Sequence, residues 1–242
     1  MPRGGLRNLS LAIPFNSQRI SDSSKLVVFI SDHRNMIERF AILPPPYPPP
    51  NDGGSHDTEG FFSTLISRAT DPLNPLTLPF LRSVEVEMGK SKALQTVINC
   101  LSHLTPSITS LWIHDSIPCR DMIQALDFMS GCPRLSGITA LRVRVKTLEV
   151  VLLEALASSL PKLRMLDLTA DSQHGVMAIV GLSDYTIPVE IPIDWNLRHL
   201  RIGYISSLDG QSYPHEDAMS SVRRRISSIR EVCEEDERCS HF

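Results

Sequence analysis

The strongest constraint on this chain is a short phrase that recurs along it. An apolar residue is followed by two variable ones, a second apolar residue, one variable residue and a third apolar one. The phrase occurs as Leu6, Leu9 and Leu11 in LRNLSL, as Leu81, Val84 and Val86 in LRSVEV, and as Ile108, Leu111 and Ile113 in ITSLWI. Three further copies are Ile138, Leu141 and Val143 in ITALRV, Leu163, Leu166 and Leu168 in LRMLDL, and Leu197, Leu200 and Ile202 in LRHLRI. The second and third apolar positions are two apart. On a strand they point to the same side, and the residue between them points to the other. Each phrase therefore predicts a short strand with one buried flank.

From the second copy to the sixth, the third apolar residues lie about 25 to 34 positions apart, a loose period that overlaps and exceeds that of leucine-rich repeats. Between phrases the apolar spacing becomes helical. Leu94, Val97, Ile98, Leu101 and Leu104 follow it, with Pro106 just beyond. Met122, Ile123, Leu126 and Met129 do the same, and Gly131 stands where a left-handed C-terminal cap is expected. A third run, through Val151, Leu152, Ala155, Leu156 and Leu160, stops at Pro161.

Units of strand, loop and helix cannot each bury an apolar face alone, so they stack. The predicted fold is α/β: a leucine-rich-repeat-like solenoid with a parallel sheet on the concave face and helices on the convex face. The rival is an open doubly wound α/β sheet. Its central strands would be apolar on both sides, whereas VEVE, LRVR and LRMLDL keep polar residues on one.

Between the first and second copies the pattern breaks. KLVVFI (residues 25–30) reads as a strand and IERFAIL as a helix after it. PPPYPPPNDGGSHDTEG then has the composition of a polyproline stretch and a flexible linker. The expected organisation is degenerate N-terminal repeats at 1–43, a disordered loop at 44–60, repeats at 61–212, a capping helix at 213–232 and an acidic tail at 233–242. The capping helix rests on the stripe Ala218, Val222, Ile226 and Ile229. Pro44, Pro45, Pro46 and Tyr47 match the PPxY ligand motif of WW domains, which implies a WW-domain partner. A plain proline-rich spacer explains the same residues.

Composition narrows the function. A formal net charge of -3 with 24 Lys and Arg over 242 residues lacks the basic excess that phosphate binding needs, so nucleic acid is not expected. No apolar run approaches the roughly 18 residues of a membrane span, and no secretory leader is recognisable. A soluble intracellular protein, cytoplasmic or nuclear, is expected. Five unpaired-looking cysteines fit reduced thiols. Arg223, Arg224 and Arg225 read as a solvated helix face, with a nuclear signal as the alternative. Cys233, Cys239 and His241 lack a fourth zinc ligand. No phosphate loop, GxGxxG turn, GxSxG elbow or HExxH helix occurs. Neither a catalytic residue nor a cofactor is expected.

The outward strand residues then define a candidate protein-binding face: Glu85 and Glu87, Trp112 and His114, Arg142 and Arg144, Asp167, and His199 with Arg201. Trp112 is either an interface anchor or a residue packed beneath a loop. Arg142 and Arg144 either set a partner's register or pair across strands with the acidic residues. The alternative to a binding module is a small α/β enzyme whose site the sequence does not reveal.

CPRLSGITALRVRV, SLPKLRMLDL and NLRHLRIGYIS with the terminal helix beyond it resemble the fungal family of F-box and leucine-rich-repeat proteins. The resemblance implies repeats that hold a substrate for an SCF-type ubiquitin ligase, and neither cofactor nor catalytic residue. The F-box of that family has no counterpart here. LRNLSL begins almost at Met1, so either a repeat portion cut off at its N-terminal end or a repeat-only relative that binds without recruiting a ligase is expected.

Overall fold

The computed structural model describes residues 6–12, 20–43, 58–88, 93–106, 108–171, 195–206, 210–212 and 231–232. The fold is α/β, with parallel strands flanked by helices. Two compact units are present: unit 1 is Met1–Asp115 with Cys132–Leu135, and unit 2 is Ser116–Gly131 with Ser136–Phe242.

In unit 1 the order is β1 (Asn8–Ala12), α1 (Ile20–Asp32), β2 (Arg39–Leu43), α2 (Thr58–Ala69), β3 (Ser83–Val86), α3 (Ala93–Leu104) and β4 (Ser110–Ile117), whose last two residues count with unit 2. The four strands pair in chain order and all are parallel. Their register aligns Leu9, Phe40, Val84 and Leu111 into one ladder, and all four side chains are buried. Each such residue, taken fully out of water, contributes roughly 1.5 to 3 kcal/mol. Behind them α1 lies on α2 and α2 on α3. The last carbonyls of α3 would be orphaned at a helix end. Arg134 satisfies two of them, its Nη1 donating to Ser102 at 3.0 Å and His103 at 3.2 Å. Buried Thr105 donates its hydroxyl to the Leu81 carbonyl.

Unit 2 contains α4 (Cys119–Ser130), β5 (Ala140–Val145), α5 (Val150–Ser159), β6 (Met165–Ala170), β7 (His199–Ser206), β8 (Gly210–Ser212) and β9 (Glu231–Val232). β5, β6 and β7 are parallel neighbours, β8 pairs antiparallel with β7, and β9 runs parallel to β7. Here the ladders are Leu141, Leu166 and Leu200, then Val143, Leu168 and Ile202, again all buried. α4 turns Met122, Ala125, Leu126 and Met129 inward, and it packs on α5.

One backbone device recurs at every junction described within the units. The residue after the first apolar position offers its carbonyl to two successive N–H groups of the next strand. Arg7 accepts from Glu38 and Arg39, Glu38 from Arg82 and Ser83, and Arg82 from Thr109 and Ser110. In unit 2, Thr139 accepts from Arg164 and Met165, and Arg164 from Arg198 and His199. Shared acceptors of this kind leave no orphan N–H at the strand entrance.

Four sequence expectations are corrected. KLVVFI is not a strand: it lies in α1, with Val27 and Ile30 buried three apart and Val28 and Phe29 exposed between them, which is helical spacing. IERFAIL is not a helix but the entrance to β2. Ile37, Phe40 and Ile42 are buried there and form a further copy of the phrase. The loop expected at 44–60 ends early, because α2 begins at Thr58; 44–57 lies outside the described residues. Gly131 closes α4 with φ -74° and ψ -8°, a right-handed rather than left-handed cap.

At the C-terminal side, the expected capping helix at 213–232 does not extend to its last two residues, since Glu231 and Val232 form β9. The rest of that helix and the acidic tail lie outside the described residues, as does the PPxY motif at Pro44, Pro45, Pro46 and Tyr47.

Candidate functional site

Alternation of side chains along each strand gives one packed flank and one partly exposed flank. In β3 and β5 buried and half-exposed residues alternate without exception. In these two strands the half-exposed residues are those that alternation turns away from the core, so display and burial follow one pattern there.

On unit 1, Ala41, Glu85 and Trp112 sit side by side in register on β2, β3 and β4. Trp112 is half-buried. Glu85 reaches diagonally to His114, whose Nε2 lies 2.7 Å from Oε1. Glu87 follows β3, its N–H donating to the Ile42 carbonyl. Asp115 accepts the N–H of Met88. These contacts bring an aromatic ring, a carboxylate and an imidazole together on one face.

On unit 2 the pairing Arg142, Asp167 and Arg201 forms a row across β5, β6 and β7. Arg142 donates from Nε to Asp167 Oδ2 at 2.8 Å, and Arg201 Nη1 lies 3.7 Å from the same oxygen. One pleat further on, Arg144 donates from Nε to Asp171 Oδ1 at 2.7 Å, and the Ser116 hydroxyl donates to Asp171 Oδ2. His199 opens β7 at the same row as Met165. The acidic residues thus pair with arginines across strands, the intramolecular reading that the sequence left level with partner recognition.

One of the sequence-selected residues is corrected. Asp167 has the outward parity expected of it, but it is not an accessible part of the face. Its side chain is only 3% exposed, beneath two arginines that are 32% and 11% exposed. Asp171 and Ser116 are additions that sequence reasoning missed. Both stand at strand ends, where alternation gives no signal, and only the pairing of β5 with β6 brings Asp171 to Arg144.

Among the described residues no group of three His, Cys, Asp or Glu side chains is placed to hold a metal ion, and no helix is long and apolar enough to cross a membrane. Cys100 and Cys119 are buried free thiols, and Cys132 is half-exposed. Burial pushes the Cys100 thiol far up. Cys119 is pushed up to about 11, first by burial and then by the nearby Glu149 carboxylate. Neither is a ready nucleophile near neutral pH, because the thiolate is the reactive form.

No family model matches the sequence, and no curated protein matches it.

Proposed function

We propose that this chain is a leucine-rich-repeat-like solenoid acting as a non-catalytic protein-binding module. The observation that carries the reading is the recurrence of one construction. A buried ladder residue, a half-exposed residue beside it and a doubly accepting carbonyl at the strand entrance repeat from strand to strand. Repetition of this kind supports a scaffold that displays side chains rather than one that converges them on a reacting atom. The displayed residues are the types found at recognition surfaces: Trp112, Arg142 and Arg144, with charged neighbours of both signs.

Substrate recognition for an SCF-type ubiquitin ligase is the more specific form of the proposal. It draws on the resemblance of CPRLSGITALRVRV, SLPKLRMLDL and NLRHLRIGYIS to the F-box and leucine-rich-repeat family. Affinity capture from cells, read by quantitative mass spectrometry, tests both levels. Wild type is compared with Trp112→Ala and Arg142→Glu, each verified as folded. Loss of a discrete set of partners in either variant is expected, and ligase adaptors or ubiquitinated proteins within that set would support the specific form. Retention of every partner by both variants would overturn the face as the binding site.

A further inference from the structure

We propose that the outer edge of β1 pairs with the β1 edge of a second copy of this chain, antiparallel and about a two-fold axis at Ser10. The inference goes beyond the protein-binding reading above and does not depend on it.

The backbone comes first. Arg39 stands in register with Asn8, and its N–H donates to the Arg7 carbonyl. In a parallel pair this turns the backbone groups of Leu9 and Leu11 toward β2, and those of Asn8, Ser10 and Ala12 toward the opposite edge. β1 ends the strand order, and among the described residues nothing pairs with that edge. Edges of this kind are ordinarily blunted by a charge, a proline or a bulge. β1 reads NLSLA and its register with β2 is unbroken, so it has none of the three.

The dry flank is incomplete at the same place. Ile37, Phe40 and Ile42 are at most 1% exposed, and Leu81, Val84 and Val86 are fully buried. At the equivalent positions around β1, Leu9 keeps 8% exposure and Leu6 and Leu11 are only half-buried. The phrase thus loses cover where its strand has a neighbour on one side alone.

The strand's own pattern selects the occupant. Leu9 and Leu11 stand symmetrically about Ser10. A two-fold axis there sets each Ser10 opposite its counterpart and each Leu9 opposite a Leu11. Three hydrogen-bonded residue pairs then exchange about six bonds, and the leucine pairs fall at the closer positions between them. Both dry flanks are closed by one contact. Charge permits the approach, since Asn8 and Ser10 are neutral and Arg7 lies 3.6 Å from Glu38. Arg39 and its counterpart stand at opposite ends of the pairing, farther apart than the Debye length of about 8 Å. An unrelated strand would satisfy the backbone but leave the symmetry of Leu9 and Leu11 without a use.

The test follows the full chain by sedimentation velocity from about 1 to about 500 μM, because so short a pairing implies a weak, concentration-dependent dimer. Ser10 is exposed, so Ser10→Lys and Ser10→Asp should melt as wild type does at low concentration. Each sets like charges face to face on the axis and should weaken dimerisation about fivefold. An equimolar mixture of the two should associate at least as tightly as wild type, because opposite charges then meet. Hydrogen exchange supplies a readout that needs no variant: the Ser10 amide should be protected at high protein concentration and exchange freely at low. A wild type that stays monomeric throughout, a dimer that neither variant weakens, a mixture no tighter than the separate variants, or a Ser10 amide indifferent to concentration would each overturn the proposal.

Discussion

The imidazole of His114 on β4 lies 2.7 Å from the carboxylate of Glu85 on β3, one pleat out of direct register. The pair sits beside a wall of fully buried residues that includes Val84 and Ile113. Its side chains are 34% and 28% exposed, so solvent screens most of the attraction. Glu85→Ala is therefore expected to change stability by less than about 1 kcal/mol. Val84→Ala, one residue away on the dry flank, should cost roughly 2 kcal/mol because it leaves a cavity. Chemical denaturation of the two variants checks the contrast.

Leu166, the second residue of β6, lies between Leu141 and Leu200 with no exposure. Leu166→Asp forfeits roughly 1.5 to 3 kcal/mol of burial and places a carboxylate among aliphatic neighbours at further cost. A large fall in melting temperature, or loss of the cooperative transition, is expected. A melting curve matching wild type would contradict the assigned strand phase.

Gly131 presents the opposite case. Its backbone is right-handed, and an added Cβ would meet only the Phe128 carbonyl oxygen at 3.6 Å, an ordinary contact. The folded state therefore accepts alanine without strain, while the unfolded chain loses freedom. Gly131→Ala should raise stability by about 0.4 to 1 kcal/mol, measurable by denaturant titration. A left-handed cap would have given the reverse sign.

Cys119 links stability to alkaline pH. Its thiol is pushed up to about 11 from an ordinary value of 9.0. Between those values the unfolded chain sheds a proton that the folded chain keeps. This contribution is intact below about pH 9 and is lost as pH rises, with a slope approaching roughly 1.4 kcal/mol per unit. Any stability advantage of wild type over Cys119→Ala should shrink by about 1 kcal/mol between about pH 8 and about pH 10. Half-exposed Cys132 should be alkylated well before Cys100 or Cys119 in the native protein.

Much of this arrangement was legible because burial and display share one rule. The second and third apolar positions of each phrase, from Val84 and Val86 to Leu200 and Ile202, are buried, and of the residues between them Glu85, Trp112, Arg142 and Arg201 are half-exposed while Asp167 is buried. The phrase formed by Ile37, Phe40 and Ile42 went unread for a local reason. It comes shortly after Val27, Val28, Phe29 and Ile30, whose branched and aromatic side chains carry strand propensity. Packing of α1 against α2 overrides that propensity, and the helix leaves Val28 and Phe29 in water. Asp167 shows the limit of parity itself. Alternation gives the side on which a residue stands, but only the reach of Arg142 and Arg201 from neighbouring strands decides whether water touches it.

The doubly accepting carbonyls have a corollary for the connectors. Within each unit, consecutive parallel strands are fastened by one carbonyl and two N–H groups and by no side chain, so Arg, Glu and Thr serve interchangeably as acceptors. The fastening from Glu38 to Arg82 spans far more chain than that from Thr139 to Arg164, yet both have the same form. Insertions between fastenings leave registration untouched. Connectors can therefore lengthen, and the half-exposed residues can vary, without disturbing the pairing of the strands they join.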